Sequence, residues 1–460
     1  MEILISTLEA EGFFKIGGIG DYVSGLSKVL SNEDNFNVKV IMPKFKSIDD
    51  ENLEFLTSVH MENNSNYADE LFNFNLYKSN LANVEFFFID NEHYFSDEDA
   101  YVGESVYLRF AFFSKAIVET IKHLNWNIDV IHLNDKPDGL LPLICKANLS
   151  KVPKFILTIH SIYYAGHFKI KNEDIDLFNS YLGFKWKEKY VCFLKESIIN
   201  SDKLVTVGIS NAEDIQTPEK GFYLDKYIIE NGGVTGILNG INYDIYPRFD
   251  DFDKFLKNKR KAKLTLQKKF NLEVGENIPL FMFCGRLSGK QKGCHYLLGI
   301  MDYLMENNYQ FILLGDGPRY RKEFRQCSND YPNFIACIEH NEDLAQQLYE
   351  ASDILLMPSL CEPNGLSQII AMYYGTVPIV HNVGGLKDTV IDYSKYPDGN
   401  GFKFYNYELE DFLNAVNEAL ETFINKEKWT QVVKNCYNED YSWDKMANPY
   451  IEIYNNLMEG

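Results

Sequence analysis

Short apolar runs recur along the first half of the chain, and the polar segments between them are long enough to hold a helix each. An apolar run of this length is typical of a strand buried on both faces, so the spacing predicts a parallel sheet with helical crossovers. The predicted strands are Ile3–Ser6, Val38–Met42, Glu85–Ile89, Val130–Leu133, Phe155–Ile159 and Leu204–Val207.

A second series of such runs follows in the other half of the chain, and it predicts a second α/β domain. Its strands are Leu280–Phe283, Phe311–Leu314, Ile354–Met357 and Val377–Val380. Between the two series we expect a hinge at residues 240–250, followed by a basic helix beginning near Lys257. The predicted fold class is therefore α/β, with two Rossmann-like domains that face each other across a deep cleft.

Length and composition agree with two globular domains. The chain has 460 residues, of which 45% are hydrophobic, and that is too long for one ordinary core. Its 45 basic and 66 acidic residues give a net charge of −21, which argues against a nucleic-acid or anionic-membrane partner.

The cysteine pattern and the apolar runs predict the compartment. The eight cysteines form no Cys-x-x-Cys pair, so we expect reduced core thiols. No apolar stretch approaches the ~18 residues of a membrane span, and the first apolar run is too short and acidic for a signal peptide. We expect a soluble protein of the cytoplasm or of a plastid-like reducing compartment.

Candidate chemistry begins directly after the first strand, where a glycine-rich loop carries one lysine. Lys15, Gly17, Gly18 and Asp21 belong to this loop, and a helix is predicted to follow. Glycines let a backbone approach an anion closely, and the amides at a helix start can donate to it. This loop is a candidate phosphate site.

Two loops in the second half carry similar chemistry. Arg286, Lys290 and Lys292 follow the strand that ends near Cys284, and Glu362 follows the strand Ile354–Met357. Arginine can clamp a diphosphate in a bidentate manner while lysine acts as a point charge. A carboxylate beside a helix start suits a sugar hydroxyl next to that diphosphate.

Taken in order, these motifs resemble those of the bacterial glycogen synthases and plant starch synthases, which are retaining glycosyltransferases of the GT-B type. Nearly the whole chain takes part in the resemblance. The matching segments are Ser6–Asp21, Arg109–Ser114, His132–Asp135, Thr158–His160, Leu238–Ile241, Arg286, Gln291–Gly293, Glu362–Leu366, Gly384–Thr389 and Tyr441–Trp443.

The resemblance implies transfer of glucose from ADP-glucose or UDP-glucose to the non-reducing end of an α-1,4-glucan, with retention. It implies an N-terminal acceptor domain at 1–240, a nucleotide-sugar domain at 241–442 and a C-terminal helix at 443–460 that crosses back to the first domain. Implied diphosphate contacts are Lys15, Gly17, Gly18, Arg286 and Lys292, and Asp135, His160 and Glu362 would surround the glucose. Further implied substrate-binding residues are Asn239, Asn364, Gly365, Leu366, Gly384, Gly385 and Tyr164.

Several positions depart from the family pattern. The family's tryptophan after the His-x-His-Asp turn is Lys136 here, the second histidine of that turn is Asn134, and the asparagine usual after His160 is Ser161. Where the family commonly has arginine and threonine before Gly384, this chain has His381 and Val383.

Relative to the family pattern, this chain has one extra residue between Arg286 and Gln291, so either Lys290 or Lys292 can be the phosphate lysine. The departures at Lys136, Ser161, His381 and Val383 keep open a related transferase that makes another glycan or a small glycoside. A second alternative is a non-catalytic glucan-binding regulatory protein. A pyridoxal-dependent phosphorylase shares the architecture, but its cofactor-lysine motif is not identifiable. The nucleotide base, the acceptor and the oligomeric state remain undetermined by the sequence.

We expect no cofactor beyond the nucleotide-sugar co-substrate and no required metal. Asp-x-Asp triplets bind a metal-nucleotide in another transferase fold, and three occur here. All three lie in acidic stretches without a preceding buried strand, which favours solvated loops. They are Asp97–Asp99, Asp174–Asp176 and Asp251–Asp253.

Overall fold

The computed structural model describes residues 1–62, 67–96, 100–103 and 105–459, except for the side chains of Lys290 and Glu459. The chain divides into two compact units. Unit 1 comprises Met1–Gly240 together with Ser442–Gly460, and unit 2 comprises Ile241–Tyr441.

Unit 1 is built on a nine-stranded sheet. Its strands are β1 (Glu2–Ser6), β2 (Asn37–Pro43), β3 (Glu54–His60), β4 (Asn73–Leu81), β5 (Val84–Asp90), β6 (Val130–Asn134), β7 (Lys154–Ile159), β10 (Lys203–Val207) and β11 (Thr235–Ile237), while β8 (His167–Lys169) pairs with β9 (Tyr190–Cys192) outside it. The strand order is β11-β10-β7-β6-β1-β2-β5-β4-β3. Its helices are α1 (Gly18–Leu30), α2 (Glu92–Phe95), α3 (Val106–His123), α4 (Leu141–Asn148), α5 (Ile175–Leu182), α6 (Phe193–Asn200), α7 (Ile209–Ile215) and α8 (Asp225–Glu230).

The sheet of unit 1 is mixed, whereas the apolar runs predict a parallel one. Strands β3 and β4 pair antiparallel with each other, and β4 pairs antiparallel with β5. Most residues of β3 and many of β4 are exposed or half-buried. Antiparallel strands tolerate such one-sided burial, and for that reason they lack the apolar run that marks a buried parallel strand.

Unit 2 is built on a six-stranded, wholly parallel sheet. Its strands are β12 (Leu280–Cys284), β13 (Gln310–Leu314), β14 (Phe334–Cys337), β15 (Ile354–Met357), β16 (Val377–His381) and β17 (Phe402–Phe404), in the order β14-β13-β12-β15-β16-β17. Its helices are α9 (Phe252–Lys269), α10 (Gly289–Lys292), α11 (Cys294–Gly299), α12 (Met301–Glu306), α13 (Arg321–Asp330), α14 (Glu342–Ala351), α15 (Ser367–Tyr373), α16 (Gly384–Thr389), α17 (Leu409–Ile424) and α18 (Lys426–Asn438).

The basic helix α9 begins at Phe252, several residues before the start predicted near Lys257. The reason is a cap: the Asp251 carboxylate accepts a hydrogen bond from the Lys254 amide at 2.8 Å. An aspartate at this position satisfies an amide that has no partner within the helix. The first aspartate of the Asp251–Asp253 triplet therefore serves as a helix cap.

The last two helices, α19 (Trp443–Met446) and α20 (Asn448–Glu459), belong to unit 1. Trp443, Tyr450 and Tyr454 are buried in its core. The Tyr454 hydroxyl lies 2.6 Å from His132 Nδ1 on β6. The C-terminal segment therefore supports the strand that leads into Asp135.

All eight cysteines are free thiols, as predicted, but only Cys145, Cys192, Cys294 and Cys436 are buried. The other four are half-buried, so the expectation that they lie in the core holds only in part. Among the described residues, no helix combines the length and apolar character needed to cross a membrane.

Gly25 in α1 tests how closely α19 packs on unit 1. A Cβ at Gly25 would lie 1.9 Å from Trp443 Nε1. Alanine normally stabilises a helix by about 1 kcal/mol relative to glycine. We expect Gly25→Ala to do the opposite and destabilise by roughly 1–3 kcal/mol, because the helices must separate.

The measurement is thermal unfolding followed by circular dichroism. Gly17→Ala is the matched control, since a Cβ there meets nothing within 4 Å. A Gly25→Ala midpoint equal to that of Gly17→Ala would show that α19 is not closely packed on α1.

Candidate active site

The candidate residues of unit 1 follow three strands that are neighbours in the sheet. Lys15 follows β1, Asp135 follows β6 and His160 follows β7. The sheet order reverses at β1, and ligands of open α/β sheets bind outside the carboxyl ends at such a point. We call Glu9, Lys15, Asp135, Lys136 and His160 the unit 1 cluster.

Asp135 and His160 are brought into direct contact through the backbone. Asp135 Oδ1 accepts hydrogen bonds from the amides of His160 at 2.7 Å and Ser161 at 3.3 Å. Asp135 has a left-handed backbone (φ 59°). Burial raises the pKa of its carboxyl to about 7, although the two amides and Lys136 act in the opposite direction. One oxygen of Asp135 therefore fixes the turn that carries His160.

Asn134 orients the imidazole of His160. The Asn134 amide nitrogen donates to the Ser6 carbonyl at 2.9 Å, so its oxygen faces His160 Nε2, also at 2.9 Å. Burial lowers the pKa of His160 to about 3, and the neighbouring His132 adds to this shift. The network thus assigns a neutral imidazole with its proton on Nε2 and with Nδ1 as an acceptor.

Glu9 is a site residue that the sequence reasoning did not identify. Its Oε2 accepts hydrogen bonds from the amides of Ile16 at 2.6 Å and Gly17 at 2.7 Å, and its Oε1 accepts one from the Tyr101 hydroxyl at 2.6 Å. The Ile16 and Gly17 amides thus donate to Glu9 in this structure, and a phosphate that bound them would have to displace that carboxylate. The signal available in the sequence was an acidic residue three positions after the end of the first strand, at the start of the glycine loop.

Lys15 projects from this loop and is paired with two carboxylates. Its Nζ lies 2.8 Å from Glu11 Oε2 and 2.9 Å from Asp21 Oδ1. Burial alone would lower the pKa of Lys15, but the Asp21 and Glu11 carboxylates outweigh it and hold that pKa above its ordinary value. Gly17 caps the start of α1, and Gly18 is its first residue.

Lys136, at the position of the family's tryptophan, lies between two tyrosine rings. Its Nζ is 5.5 Å from the Tyr101 ring centre and 5.6 Å from that of Tyr164. Burial lowers the pKa of Lys136, and Asp135 opposes the shift. Tyr164 thus lies beside the unit 1 cluster through its contact with Lys136. Asn239 is buried after the edge strand β11, on the far side of β7 and β10.

In unit 2 the strand order reverses between β12 and β15. Arg286 and Lys292 follow β12, and Glu362 follows β15, so both loops meet at the place where such sheets bind ligands. Lys292 Nζ lies 2.5 Å from Glu362 Oε2. Ser359 Oγ donates to the same oxygen at 3.3 Å. We call Arg286, Lys292 and Glu362 the unit 2 cluster.

A single helical turn aims Lys292 at Glu362. Ser288 caps α10 by accepting from the Gln291 amide at 3.3 Å, and Gly293 ends it with a left-handed φ of 68°. Gln291 accepts from Arg286 Nη2 at 3.0 Å, and its carbonyl accepts from the Leu360 amide at 3.0 Å. The side chain of Lys290, in the same turn, lies outside the described residues.

Gly384 and Gly385 pack directly beneath the Glu362 loop. The Gly385 amide donates to the Glu362 carbonyl at 3.0 Å. A Cβ at Gly384 would lie 2.2 Å from the Glu362 carbonyl oxygen, and a Cβ at Gly385 would lie 2.1 Å from the backbone carbonyl oxygen of Asn364. Their observed role is to let α16 approach this loop closely.

The rest of the loop is held from its other side. Gln368 Nε2 donates to the carbonyls of Asn364 at 3.0 Å and Gly365 at 2.9 Å, and Leu366 directly precedes α15. His381 Nδ1 lies 3.0 Å from the Ser359 carbonyl. The departure from arginine to His381 therefore places a buried support under the Glu362 loop.

The Asp-x-Asp triplets form no metal site in the part of the chain that is described. Asp174 Oδ2 accepts from the hydroxyls of Ser105 and Tyr107, and Asp251 is a helix cap. The triplet Asp97–Asp99 lies outside the described residues. Among the described residues, no group of three or more His, Cys, Asp or Glu side chains is arranged to hold a metal ion.

Comparison with known proteins covers both units. Residues 2–230 match the family described as starch synthase catalytic domain, and residues 265–435 match glycosyl transferases group 1. The glycogen synthase of Clostridium perfringens (strain 13) is 35% identical over 491 residues, covering 100% of this chain and 99% of that protein. The glycogen synthase of Clostridioides difficile (strain 630) is 36% identical over 490 residues, covering 100% of both.

Two solved structures share the fold. The catalytic domain of starch synthase IV from Arabidopsis thaliana, bound to ADP and acarbose, is 26% identical with a TM-score of 0.88, covering 100% of this chain and 99% of that one. Sucrose-phosphate synthase from Thermosynechococcus elongatus is 17% identical with a TM-score of 0.65, and the match covers 100% of this chain and 99% of that one. At this identity the likeness shows the fold alone. The predicted GT-B fold class is confirmed.

Asp138, in the same turn as Asp135, gives this site a pH signature. It is completely buried, and burial raises the pKa of its carboxyl to about 7. Ser6 and the Asn134 amide lie near its oxygens, but neither makes a hydrogen bond of good geometry among the described residues. Because an unfolded aspartate has a pKa of about 4, the native state holds a proton that the unfolded state releases.

The contribution of Asp138 to stability should therefore be fully present below about pH 4 and should be lost as pH rises from 4 to 7, by up to roughly 1.4 kcal/mol per pH unit. Asp138→Asn should lack this fall, so its stability should gain on the wild type from pH 5 to pH 8. Urea unfolding at each pH measures the difference. The exposed Asp34→Asn variant is the control, and parallel pH curves for Asp138→Asn and the wild type would contradict the burial argument.

Proposed function

We propose that this chain, which belongs to the glycogen synthase family of glycosyltransferases, transfers glucose from ADP-glucose or UDP-glucose to the non-reducing end of an α-1,4-glucan with retention. The observation that carries the proposal is the Lys292–Glu362 contact of 2.5 Å at the strand reversal of unit 2. A cation for a diphosphate and a carboxylate for sugar hydroxyls stand side by side there. Full-length likeness to glycogen synthases supports the reaction class.

The donor half of the reaction is assigned to Arg286 and Lys292, with Lys15 as a further cation. Breaking the anomeric C–O bond leaves a sugar with oxocarbenium character and a nucleoside diphosphate that gains negative charge. Fixed cations beside the phosphates stabilise that charge most in the transition state. Glu362 would then exchange its contact with Lys292 for hydroxyls of the transferred glucose.

Asp135 and His160 are assigned to the transferred glucose. A neutral His160 with its Nε2 proton committed to Asn134 offers Nδ1 as an acceptor for a sugar hydroxyl. Retention then needs no protein nucleophile, since the acceptor hydroxyl can attack from the face that the diphosphate leaves. That hydroxyl passes its proton to the departing phosphate oxygen, so charge balances without a tethered base.

The acceptor is the part of the proposal with a specific rival. Lys136 brings a cation to the position of the family's tryptophan, between the Tyr101 and Tyr164 rings. An ammonium group donates hydrogen bonds where an indole would stack, and that favours an acceptor other than a long glucan. A related glycan or small glycoside is therefore the second candidate product.

We further propose that the reaction needs no metal, because side-chain cations can supply the charge that Mg²⁺ provides in other transferases. We propose the cytoplasm as its compartment. The test is release of nucleoside diphosphate by the purified chain in excess EDTA, with a panel of nucleotide sugars and with or without glycogen. Glycogen-dependent release from ADP-glucose or UDP-glucose is expected. Release that needs Mg²⁺ or Mn²⁺, or that depends on a different acceptor, would overturn the corresponding part.

The same assay tests the diphosphate residues. Arg286→Ala and Lys292→Ala should each lower kcat by ~10²–10³-fold with smaller effects on donor KM, because the charge they neutralise grows in the transition state. Lys290→Ala is the matched control on the same helical turn and should retain near-wild-type kcat. Loss of turnover in Lys290→Ala with retention in Lys292→Ala would reverse the assignment.

A further inference from the structure

Three aromatic side chains of unit 1 are exposed close to the turn that carries His160. The exposed fractions are 43% for Tyr163, 43% for Phe222 and 89% for Tyr223. The Tyr163 and Phe222 rings meet edge to face with their centres 4.5 Å apart, although the residues are distant in sequence. We call Tyr163, Phe222 and Tyr223 the aromatic surface.

The backbone of the aromatic surface is held in an unfavourable conformation. Phe222 and Tyr223 both have left-handed backbones, with φ of 50° and 66°. Bulky side chains rarely adopt this region because Cβ approaches the backbone too closely. Strain of this kind persists only where surrounding structure imposes it, and it gathers at functional sites.

The surrounding loop does impose it. The Gly221 amide donates to the Thr217 carbonyl at 2.7 Å, and the Leu224 amide donates to the Gly221 carbonyl at 2.8 Å. Leu224 is buried and anchors the loop before α8. Hydrogen bonds thus hold the loop at both ends. The Tyr223 ring is exposed to solvent, so its packing does not offset the backbone strain.

The aromatic surface begins at the candidate catalytic turn. Tyr163 and Tyr164 share the 3-10 turn Ile162–Tyr164, which directly follows Ser161. The Tyr164 ring in turn contacts the Lys136 ammonium group. A chain bound at His160 therefore has tyrosine and phenylalanine rings next to it on the same unit.

We propose that the aromatic surface binds the α-glucan acceptor beyond its reacting end, by stacking pyranose rings on Tyr163, Phe222 and Tyr223. This proposal rests on the proposed function. Aromatic rings offer apolar area to the C–H faces of sugars, and tyrosine hydroxyls exchange hydrogen bonds with sugar hydroxyls. The nearby charge of Lys220, two residues before Phe222, is neutralised by Asp214, whose Oδ2 lies 2.8 Å from Lys220 Nζ. A neutral polyol therefore suits the aromatic surface better than an ion.

The test compares a long with a short acceptor. Tyr223→Gly removes the ring and also relieves the left-handed strain, so folding is protected, and Phe222→Ala is the second variant. We expect the KM for glycogen to rise about five- to tenfold, while the KM for maltose, the KM for donor and kcat stay unchanged. Tyr396→Ala, an exposed tyrosine of unit 2, is the matched control.

Glycogen-affinity electrophoresis provides a readout that needs no turnover, so failure of the proposed reaction and failure of this surface are distinguishable. Weaker retardation of Tyr223→Gly by glycogen supports the surface even if the enzyme uses another donor. Unchanged glycogen KM and retardation in both variants would overturn it. A rise in the KM for maltose equal to the rise in the KM for glycogen would also overturn it. A change in the sedimentation coefficient with unchanged glycogen binding would overturn it too, and would assign the surface to contact between copies of the chain.

Discussion

In each unit the first strand lies in the interior of its sheet, and the candidate active site depends on that constraint. The chain builds outward from β1 on one side and then on the other, and it does the same from β12. Carboxyl ends of neighbouring parallel strands share an edge, and loops diverge where the order reverses. This arrangement brings the loops of Lys15 and Asp135 in unit 1, and those of Lys292 and Glu362 in unit 2, to the same edge of each sheet.

Beneath the unit 1 cluster, buried polar contacts fix the turn that carries His160. His132 Nε2 lies 2.7 Å from Thr158 Oγ1, which lies 2.9 Å from the Tyr22 hydroxyl. The Tyr22 ring meets the His160 ring edge to face at 4.6 Å. Burial also lowers the pKa of His132 to about 3. Because Tyr454 completes this network from α20, the end of the chain helps to define a cluster built from residues 9–160.

Charge pairing is a second property that the two clusters share. Lys15 is matched by Glu11 and Asp21, and Lys292 is matched by Glu362, each within its own unit. Pairing each half-buried lysine with a carboxylate of its own unit avoids the cost of leaving a partly buried charge without a counter-charge.

The sequence by itself determined the elements with the strongest local signal. Every strand predicted from an apolar run was found to within one residue at either end, and Ile354–Met357 was found at the same bounds. Order in the chain and residue type were enough to locate the Lys15, Arg286 and Glu362 loops. The sequence did not predict the partly exposed strands β3 and β4, or three-residue strands such as β11 and β17. None of them contains an apolar run long enough to mark a strand.

Only the tertiary structure decided which of those residues touch. Three contacts show this. Glu9 accepts from amides of its own glycine loop, Asn134 accepts from His160 Nε2, and Gly384 packs under the Glu362 carbonyl. The residues of each contact follow different strands or lie at opposite ends of one loop. Such contacts depend on strand order, register and hydrogen-bond geometry at a few tenths of an ångström. A local pattern of apolar and polar residues specifies which face is buried, but it does not carry those distances.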